Sequence, residues 1–135
     1  MNVVLDTNVL VSALLRPQGV CGEILQLVVA GHVRLCVDER IIHEYRAGLP
    51  RPLFGFSPGD VEAVLEIVGI AADHIDPPPL SVKLPDESDV PFLEVAVEAG
   101  AILITGNERH FPPHLRCGVT LLPPAKFMAR LRGQD

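Results

Sequence analysis

Polar side chains follow two apolar runs of the chain, at the points where each run ends. Asp6 comes directly after the aliphatic residues 3–5, and Asn107 lies just beyond the aliphatic residues 101–104. Both runs are typical of buried strands. In open parallel sheets, binding sites form outside the carboxyl ends of the strands. We therefore expect Asp6 and Asn107 to lie at the same edge of one sheet.

Two further acids are positioned by predicted helices. Asp89 begins the apolar helix that leads into the 101–104 strand, and a helix N-terminus in this architecture can face the same edge. Glu44 follows Ile41 by three residues, so it borders the buried stripe of its helix. Four polar groups from separate parts of the chain can thus converge, although no local structural need explains all of them.

Converging carboxylates repel one another, and without a counter-charge some of their pKa values would rise. A divalent cation relieves this repulsion. Because the ligands are hard oxygens without a supporting Cys or His pattern, they favour Mg²⁺ or Mn²⁺ over Zn²⁺. Such an ion can activate water and stabilise charge on a phosphodiester during in-line attack.

Each of these residues also has a purely structural explanation when it is taken alone. Asp6 could cap the first helix, and Asp86, Glu87 and Asp89 could favour a helix N-terminus through its dipole. Glu44 could be a solvated helix residue, and Asn107 suits a turn for backbone reasons. The joint arrangement of the residues is what favours a cation site.

Strands alternate with helices along the whole chain. The pattern predicts strands at residues 3–5, 33–37, 71–75, 101–104 and 119–122. It predicts helices at residues 9–15, 21–30 and 125–131, one helix capped by Asp38, one opened by Ser57 and Pro58, and one running to Ala99. This order predicts an α/β fold with a central parallel sheet and right-handed crossovers. No repeat or linker interrupts it, so we expect one domain over residues 1–135.

The composition limits the classes of function. Hydrophobic residues make up 48% of the 135 residues, which predicts a globular domain with a core. The formal net charge is −6, whereas a module that holds nucleic acid by charge alone is normally basic. The acidity is compatible with an enzyme whose carboxylates hold cations, because the cations reverse the local sign of the charge.

Other metal and targeting patterns are missing from the sequence. Its three cysteines form no C-x-x-C pair, and its five histidines show no metal-ligand spacing, so we assign none of these residues to the site. The N-terminus does not read as a signal peptide, and no uncharged apolar run is long enough to span a bilayer. We expect a cytoplasmic protein without a membrane partner.

Four stretches of the sequence together resemble the motifs of the PIN-domain family. Residues 5–13 (LDTNVLVSA) resemble the opening motif, and residues 42–45 (IHEY) resemble the second acidic motif. Residues 86–89 (DESD) with 92–96 (FLEVA) resemble the third, and residues 99–101 (AGA) with 104–107 (ITGN) resemble the fourth. The resemblance covers nearly the whole chain and implies a PIN-like three-layer α/β/α fold with four to five parallel strands.

The resemblance also implies roles for individual residues. Asp6 matches the first acid of the family, Glu44 the second and Asp89 the third, while Asp86 matches an extra acid that is common in one subgroup. The fourth position, often Asp, is Asn107 here, and this change removes one negative charge. The resemblance thus implies Mg²⁺ or Mn²⁺ as cofactor, bound by the four acids, with Asn107 among the catalytic residues.

Three residues next to these acids are candidates for supporting roles. Thr7 or Thr105 could support the site through hydroxyl hydrogen bonds, and Asn8 could orient Asp6. Arg16, Arg46, Arg51 and Arg109 could contact RNA phosphates at the rim, although an exposed charge is often only solubilising.

The motifs look most like those of VapC-like toxin components of bacterial toxin–antitoxin systems. This likeness implies a metal-dependent endoribonuclease that hydrolyses RNA phosphodiester bonds with metal-activated water. It also implies a cognate antitoxin protein and a homodimer or higher homo-oligomer. The alternative is a PIN fold with weak or no catalysis that binds RNA or protein, a reading that Asn107 favours.

Two enzyme classes with similar folds fit less well. A phosphatase of the haloacid-dehalogenase type needs a second Asp two positions after the first, where this chain has Asn8. A nucleotide-binding α/β domain would carry a glycine-rich phosphate loop, and neither of the common forms is present.

Overall fold

The computed structural model describes residues 1–133 and contains a five-stranded sheet in which every neighbouring pair is parallel. The spatial order of the strands is β3-β2-β1-β4-β5. The strands are β1 (Asn2–Leu5), β2 (Arg34–Val37), β3 (Asp73–His74), β4 (Ile102–Ile104) and β5 (Leu121–Leu122).

Six α-helices in the described residues flank the sheet and give the three-layer α/β/α fold that the sequence predicts. They are α1 (Thr7–Leu15), α2 (Val20–Val29), α3 (Glu39–Gly48), α4 (Pro58–Ala71), α5 (Val90–Ala99) and α6 (Pro124–Leu131). The predicted domain covers residues 1–135, and its last two residues, 134 and 135, lie outside the described part. Along residues 1–133, no helix is both long and apolar enough to cross a bilayer.

The two central strands of the sheet determine where the candidate site lies. Strand β1 lies between β2 and β4, and its residues Val3, Val4 and Leu5 are buried because helices cover both faces. Leu5 pairs in register with Ile104 of β4. The residues that follow these two strands are therefore neighbours at the carboxyl edge of the sheet.

Local capping explains where two of the helices begin. The Asp38 side chain accepts a hydrogen bond from the Ile41 backbone N–H at 3.0 Å, as predicted for the start of α3. The Ser57 hydroxyl oxygen accepts a bond from the Asp60 N–H at 3.1 Å, and Pro58 occupies the first turn of α4.

Two of the predicted strands are shorter in the structure. The predicted strand at 71–75 is reduced to β3, because the apolar stripe of Val61, Leu65 and Val68 keeps α4 helical through Ala71. The predicted strand at 119–122 is reduced to β5. It follows a turn in which both Cys117 and Gly118 have positive φ.

Candidate metal centre

The side chain of Asp6 is hydrogen-bonded to Thr105 and does not cap α1. It occupies the N-cap position of that helix, but its side chain makes no capping hydrogen bond. Its Oδ2 instead accepts a hydrogen bond from the Thr105 hydroxyl at 2.6 Å, across the carboxyl ends of β1 and β4. The structure therefore contradicts the capping explanation and ties the acid to the neighbouring strand.

Thr105 is fully buried, and its hydroxyl group has a fixed orientation. Its Oγ1 accepts a hydrogen bond from the Asn107 backbone N–H at 3.0 Å, which leaves the hydroxyl hydrogen for Asp6. The predicted supporting role of Thr105 thus has a geometric basis in the structure. Asn107 contributes to the same chain of bonds through its backbone.

Asp89 ends a short 3₁₀ turn, Glu87–Asp89, and directly precedes α5. It is only 7% exposed and makes no side-chain capping bond to the helix. Its Oδ2 is buried and has no hydrogen-bond partner among the described residues. A buried charged oxygen with few partners is costly, so a cation beside Asp89 would be stabilising.

The surroundings of Asp89 disfavour its charged form. Burial is the main cause that raises the pKa of Asp89 to about 6, and the negative charge of Asp6 adds to the effect. Asp86 acts in the same direction, whereas His110 opposes it. The charge of Asp6 therefore acts on Asp89, and their shared binding of a cation stays a prediction.

Asp86 lies at the exposed start of the same turn. Its Oδ1 accepts hydrogen bonds from the Ser88 backbone N–H at 2.9 Å and from the Ser88 hydroxyl at 2.7 Å. These bonds lower the pKa of Asp86, so its carboxylate stays charged beside Asp89. Asp86 thus caps the 3₁₀ turn, and this role does not prevent it from facing a cation.

His110 is a member of the site that the sequence analysis did not assign. Its Nδ1 lies 2.8 Å from Asp89 Oδ2, and its Nε2 lies 2.9 Å from Asn107 Nδ2. Asp86, Asp89 and His110 each offer a ligand atom, and these atoms all lie within 4.8 Å of one another. The signal in the sequence is the position of His110, three residues after Asn107 in the short turn that follows β4.

Glu44 belongs to helix α3, which the next residue joins to the end of β1. Tyr45 is fully buried, and its hydroxyl donates a 2.7 Å hydrogen bond to the carbonyl of Leu5, the residue before Asp6. Burial raises the pKa of Tyr45, and the charge of Asp6 raises it further. Glu44 itself is half-buried and lines a cleft together with Ser88. It lies outside the group of three ligand atoms around Asp89.

An ion-pair network joins the helices that carry Glu44 and Asp89. Arg40 of α3 contacts Asp38 Oδ2 at 2.6 Å and Glu94 Oε1 of α5 at 2.7 Å. Glu94 is 4% exposed, and its Oε2 accepts a 2.6 Å hydrogen bond from the Leu80 N–H. The network fixes how α3 and α5 lie against each other, and both of its acids already have partners.

The remaining predicted residues lie close to Asp6 in the chain. Thr7 is half-buried and packs close to Gly48, where an added Cβ would lie only 2.8 Å from the Thr7 methyl carbon. Asn8 is exposed, and within residues 1–133 its side chain makes no hydrogen bond. The proposed orienting role of Asn8 therefore stays a prediction.

The donor set fits a divalent cation. It combines the carboxylates of Asp86 and Asp89 with the His110 imidazole. The Asp6 carboxylate lies outside this group of three and adds negative charge close to Asp89. Oxygen donors with one nitrogen suit a hard or borderline divalent ion. An ion in this position would relieve the repulsion around Asp89.

Comparison with known proteins identifies the family of the chain. A family profile described as the PIN domain matches residues 2–109, a span that contains every predicted site residue. An uncharacterized protein of Methanocaldococcus jannaschii is 32% identical over 111 residues, which cover 80% of this chain and 72% of that protein. The profile spans most of the chain and the sheet has the matching architecture, so the protein belongs to the PIN domain family, whose fold is of the nuclease type.

Proposed function

We propose that this protein is a metal-dependent endoribonuclease that hydrolyses RNA phosphodiester bonds. The observation that carries the proposal is the buried Asp89 carboxylate beside Asp6, with one oxygen that has no hydrogen-bond partner in the described residues. In a family with a nuclease-type fold, such a carboxylate pair is suited to hold Mg²⁺ or Mn²⁺. When bound, the ion would supply an activated water and stabilise charge on the phosphodiester.

The residues of the chain would then have distinct tasks. Asp6, Asp86 and Asp89 hold the ion, and Glu44 contributes negative charge from the rim of the site. Thr105 keeps the Asp6 carboxylate in one orientation through its 2.6 Å hydrogen bond. A fixed ligand loses little freedom when the ion binds, which favours binding.

RNA would approach along the surface formed by the loop after β4. Gly106, Asn107 and Arg109 line one shallow cleft beside the site. Arg109 is exposed and pairs with no acid among residues 1–133, so it is available to a phosphate. With a net charge of −6, the protein would depend on the metal ion and on such single contacts to hold RNA.

We propose further that the protein acts in the cytoplasm as the toxin of a toxin–antitoxin pair and forms a homodimer or higher oligomer. The sequence resemblance to VapC-like proteins supports this role. Exposed apolar side chains also offer surface to a partner, namely Leu15, Val20, Val29 and Ile70, with exposures of 49%, 39%, 55% and 80%. Induced expression with and without the product of the neighbouring gene tests the pairing, and light scattering tests the oligomer.

The central experiment is a cleavage assay on total RNA with and without Mn²⁺. The wild type should cleave only when the metal is present, and Asp6→Asn should lose at least about a hundredfold of the rate, because it removes a charged ligand. Asp76→Asn makes the same chemical change at an exposed position outside the site and should cleave normally. Circular dichroism should show that all three proteins are folded.

The second candidate function is a PIN fold that binds RNA or protein without cleaving it. Asn107 favours this candidate, since an acid often occupies this position in the family. A folded wild type that stays inert on diverse RNAs across a series of metals, while it still binds RNA, would support this function and reject the nuclease.

A further inference from the structure

We propose that His110 is a metal ligand through Nδ1, that Asn107 orients its ring, and that the site therefore prefers Mn²⁺ or a similar transition ion to Mg²⁺. The inference rests on the proposed function in one respect: the ion occupies the same site beside Asp6 and Asp89. It concerns how the ion is bound, and it can hold whether or not the protein cleaves RNA.

The spacing of the ligand atoms matches one coordination sphere. Adjacent ligands about 2.1 Å from an octahedral ion lie about 3 Å apart, and opposite ligands lie about 4 Å apart. His110 Nδ1 and Asp89 Oδ2 are 2.8 Å apart, and the ligand atoms of Asp86, Asp89 and His110 all lie within 4.8 Å of one another. One ion can therefore contact all three residues without a large movement of any of them.

The state of Asp89 independently indicates a missing ligand. Asp89 is 7% exposed, and its Oδ2 faces His110 Nδ1. The described residues offer this buried oxygen no partner besides His110. An ion that binds both Oδ2 and Nδ1 would add a positive charge beside the buried carboxylate.

Asn107 can hold the imidazole in the form that binds a metal. Its amide lies 2.9 Å from His110 Nε2, and an Asn side chain can present either NH₂ or C=O in the same space. With the carbonyl oxygen towards the ring, it accepts a hydrogen bond from Nε2–H and leaves the lone pair of Nδ1 for the ion. Metal-binding histidines commonly carry such a partner on the second nitrogen. Asn107 is thus a positioning residue.

The proposed nitrogen ligand explains why an acid at position 107 is not required. The imidazole of His110 replaces one carboxylate oxygen in the coordination sphere. Mg²⁺ strongly favours oxygen ligands, whereas imidazole nitrogen is well suited to first-row transition ions. The replacement therefore lowers the negative charge of the site and shifts its preference away from Mg²⁺.

The test uses the metal-free protein with Mn²⁺ alone, without RNA. Pulsed electron paramagnetic resonance of the bound Mn²⁺ should show coupling to a nitrogen nucleus in the wild type. His110→Gln should lose this coupling and bind Mn²⁺ about tenfold more weakly, with a smaller change for Mg²⁺. His114→Gln, at an exposed histidine in another turn, should keep both the coupling and the affinity.

The possible results separate cleanly. Bound Mn²⁺ without nitrogen coupling in the wild type, coupling that persists in His110→Gln, or no binding at millimolar Mn²⁺ would overturn the inference. If His110→Gln does not fold, wild type labelled with ¹⁵N-histidine replaces it, and an unchanged coupling pattern would overturn the inference. Nitrogen coupling without RNA cleavage rejects the proposed function alone, and cleavage with oxygen-only coordination rejects this inference alone.

Discussion

At the scale of single residues, the carboxylates of Asp6, Asp86 and Asp89 differ in the hydrogen bonds that they accept. Asp6 accepts a hydrogen bond from Thr105, and Asp86 accepts two from Ser88. Asp89 is more deeply buried than Asp86, and its Oδ2 has no hydrogen bond within residues 1–133. Asp89 is therefore the acid whose charge depends most on a bound cation.

Asp89→Asn should stabilise the metal-free protein at neutral pH. The folded state raises the pKa of Asp89 from 3.8 to about 6, so ionisation at higher pH costs folding free energy. The gain should be absent below about pH 4, grow as the pH rises to about 6, and level off at about 3 kcal/mol above it. Urea unfolding in EDTA at several pH values measures this difference.

The same variant should lose the stabilisation that Mn²⁺ gives to the wild type, because a ligand is removed. Asp76→Asn serves as the control and should behave like the wild type in both conditions. A metal-free Asp89→Asn protein that is less stable than the wild type at neutral pH would show that ionised Asp89 does not destabilise the fold.

The predictability of the site differs between its residues for a physical reason. Asp6 and Thr105 follow central parallel strands, so topology alone brings them to one edge of the sheet. His110 is brought to Asp89 by the three-residue turn Glu108–His110. The path of such a short turn cannot be predicted from a hydrophobic pattern. A sequence pattern can therefore find the acids but not the imidazole.

At the scale of secondary structure, Tyr45 connects the three elements that carry the main acids. It belongs to α3 and donates its hydrogen bond to the end of β1. Its ring centroid also lies 6.3 Å from that of Phe92 in α5. The positions of Asp6, Glu44 and Asp89 are thus linked through one buried side chain.

Tyr45→Phe should lower the free energy of unfolding by about 1–2 kcal/mol, because it leaves the buried Leu5 carbonyl without this partner. Leu5 precedes Asp6, so the affinity for Mn²⁺ should also fall. Calorimetric titration of Mn²⁺ measures that effect. Phe127→Leu, which changes a buried side chain of α6, should reduce stability without weakening metal binding. Equal losses of affinity in both variants would contradict this account.

Glu94→Gln should destabilise the protein by about 1–3 kcal/mol. Both oxygens of Glu94 accept hydrogen bonds, from Arg40 and from the Leu80 N–H, and an amide would face one of these donors with its own NH₂ group. Glu62→Gln is the matched control, because it breaks an exposed pair with Arg46 that should contribute less than about 1 kcal/mol. Denaturant unfolding of both variants gives the comparison, and equal effects would contradict the structural role of the buried pair.

The elements themselves were predictable to different degrees. The starts of α3 and α4 were found because Asp38 and Ser57 carry capping signals. Strands β3 and β5 have only two residues each and lie at the two edges of the sheet, so their bounds depend on pairing with β2 and β4. An edge strand of two residues is too short to show the alternation of apolar and polar residues that marks a strand.

At the scale of the whole molecule, an acidic protein is proposed to act on an acidic polymer. The net charge of −6 repels RNA at long range, and a divalent ion at the carboxyl edge of the sheet would reverse that sign locally. The account therefore stands on a cation bound between Asp6 and Asp89. Without that cation, the carboxylates of the site would repel the phosphates of RNA.

Anomalous diffraction from crystals grown with Mn²⁺ tests this claim most directly. The account predicts a peak about 2.2 Å from carboxylate oxygens of both Asp6 and Asp89. At saturating Mn²⁺, the absence of a peak there, or a peak only in the cleft lined by Asp38 and Glu94, would contradict it.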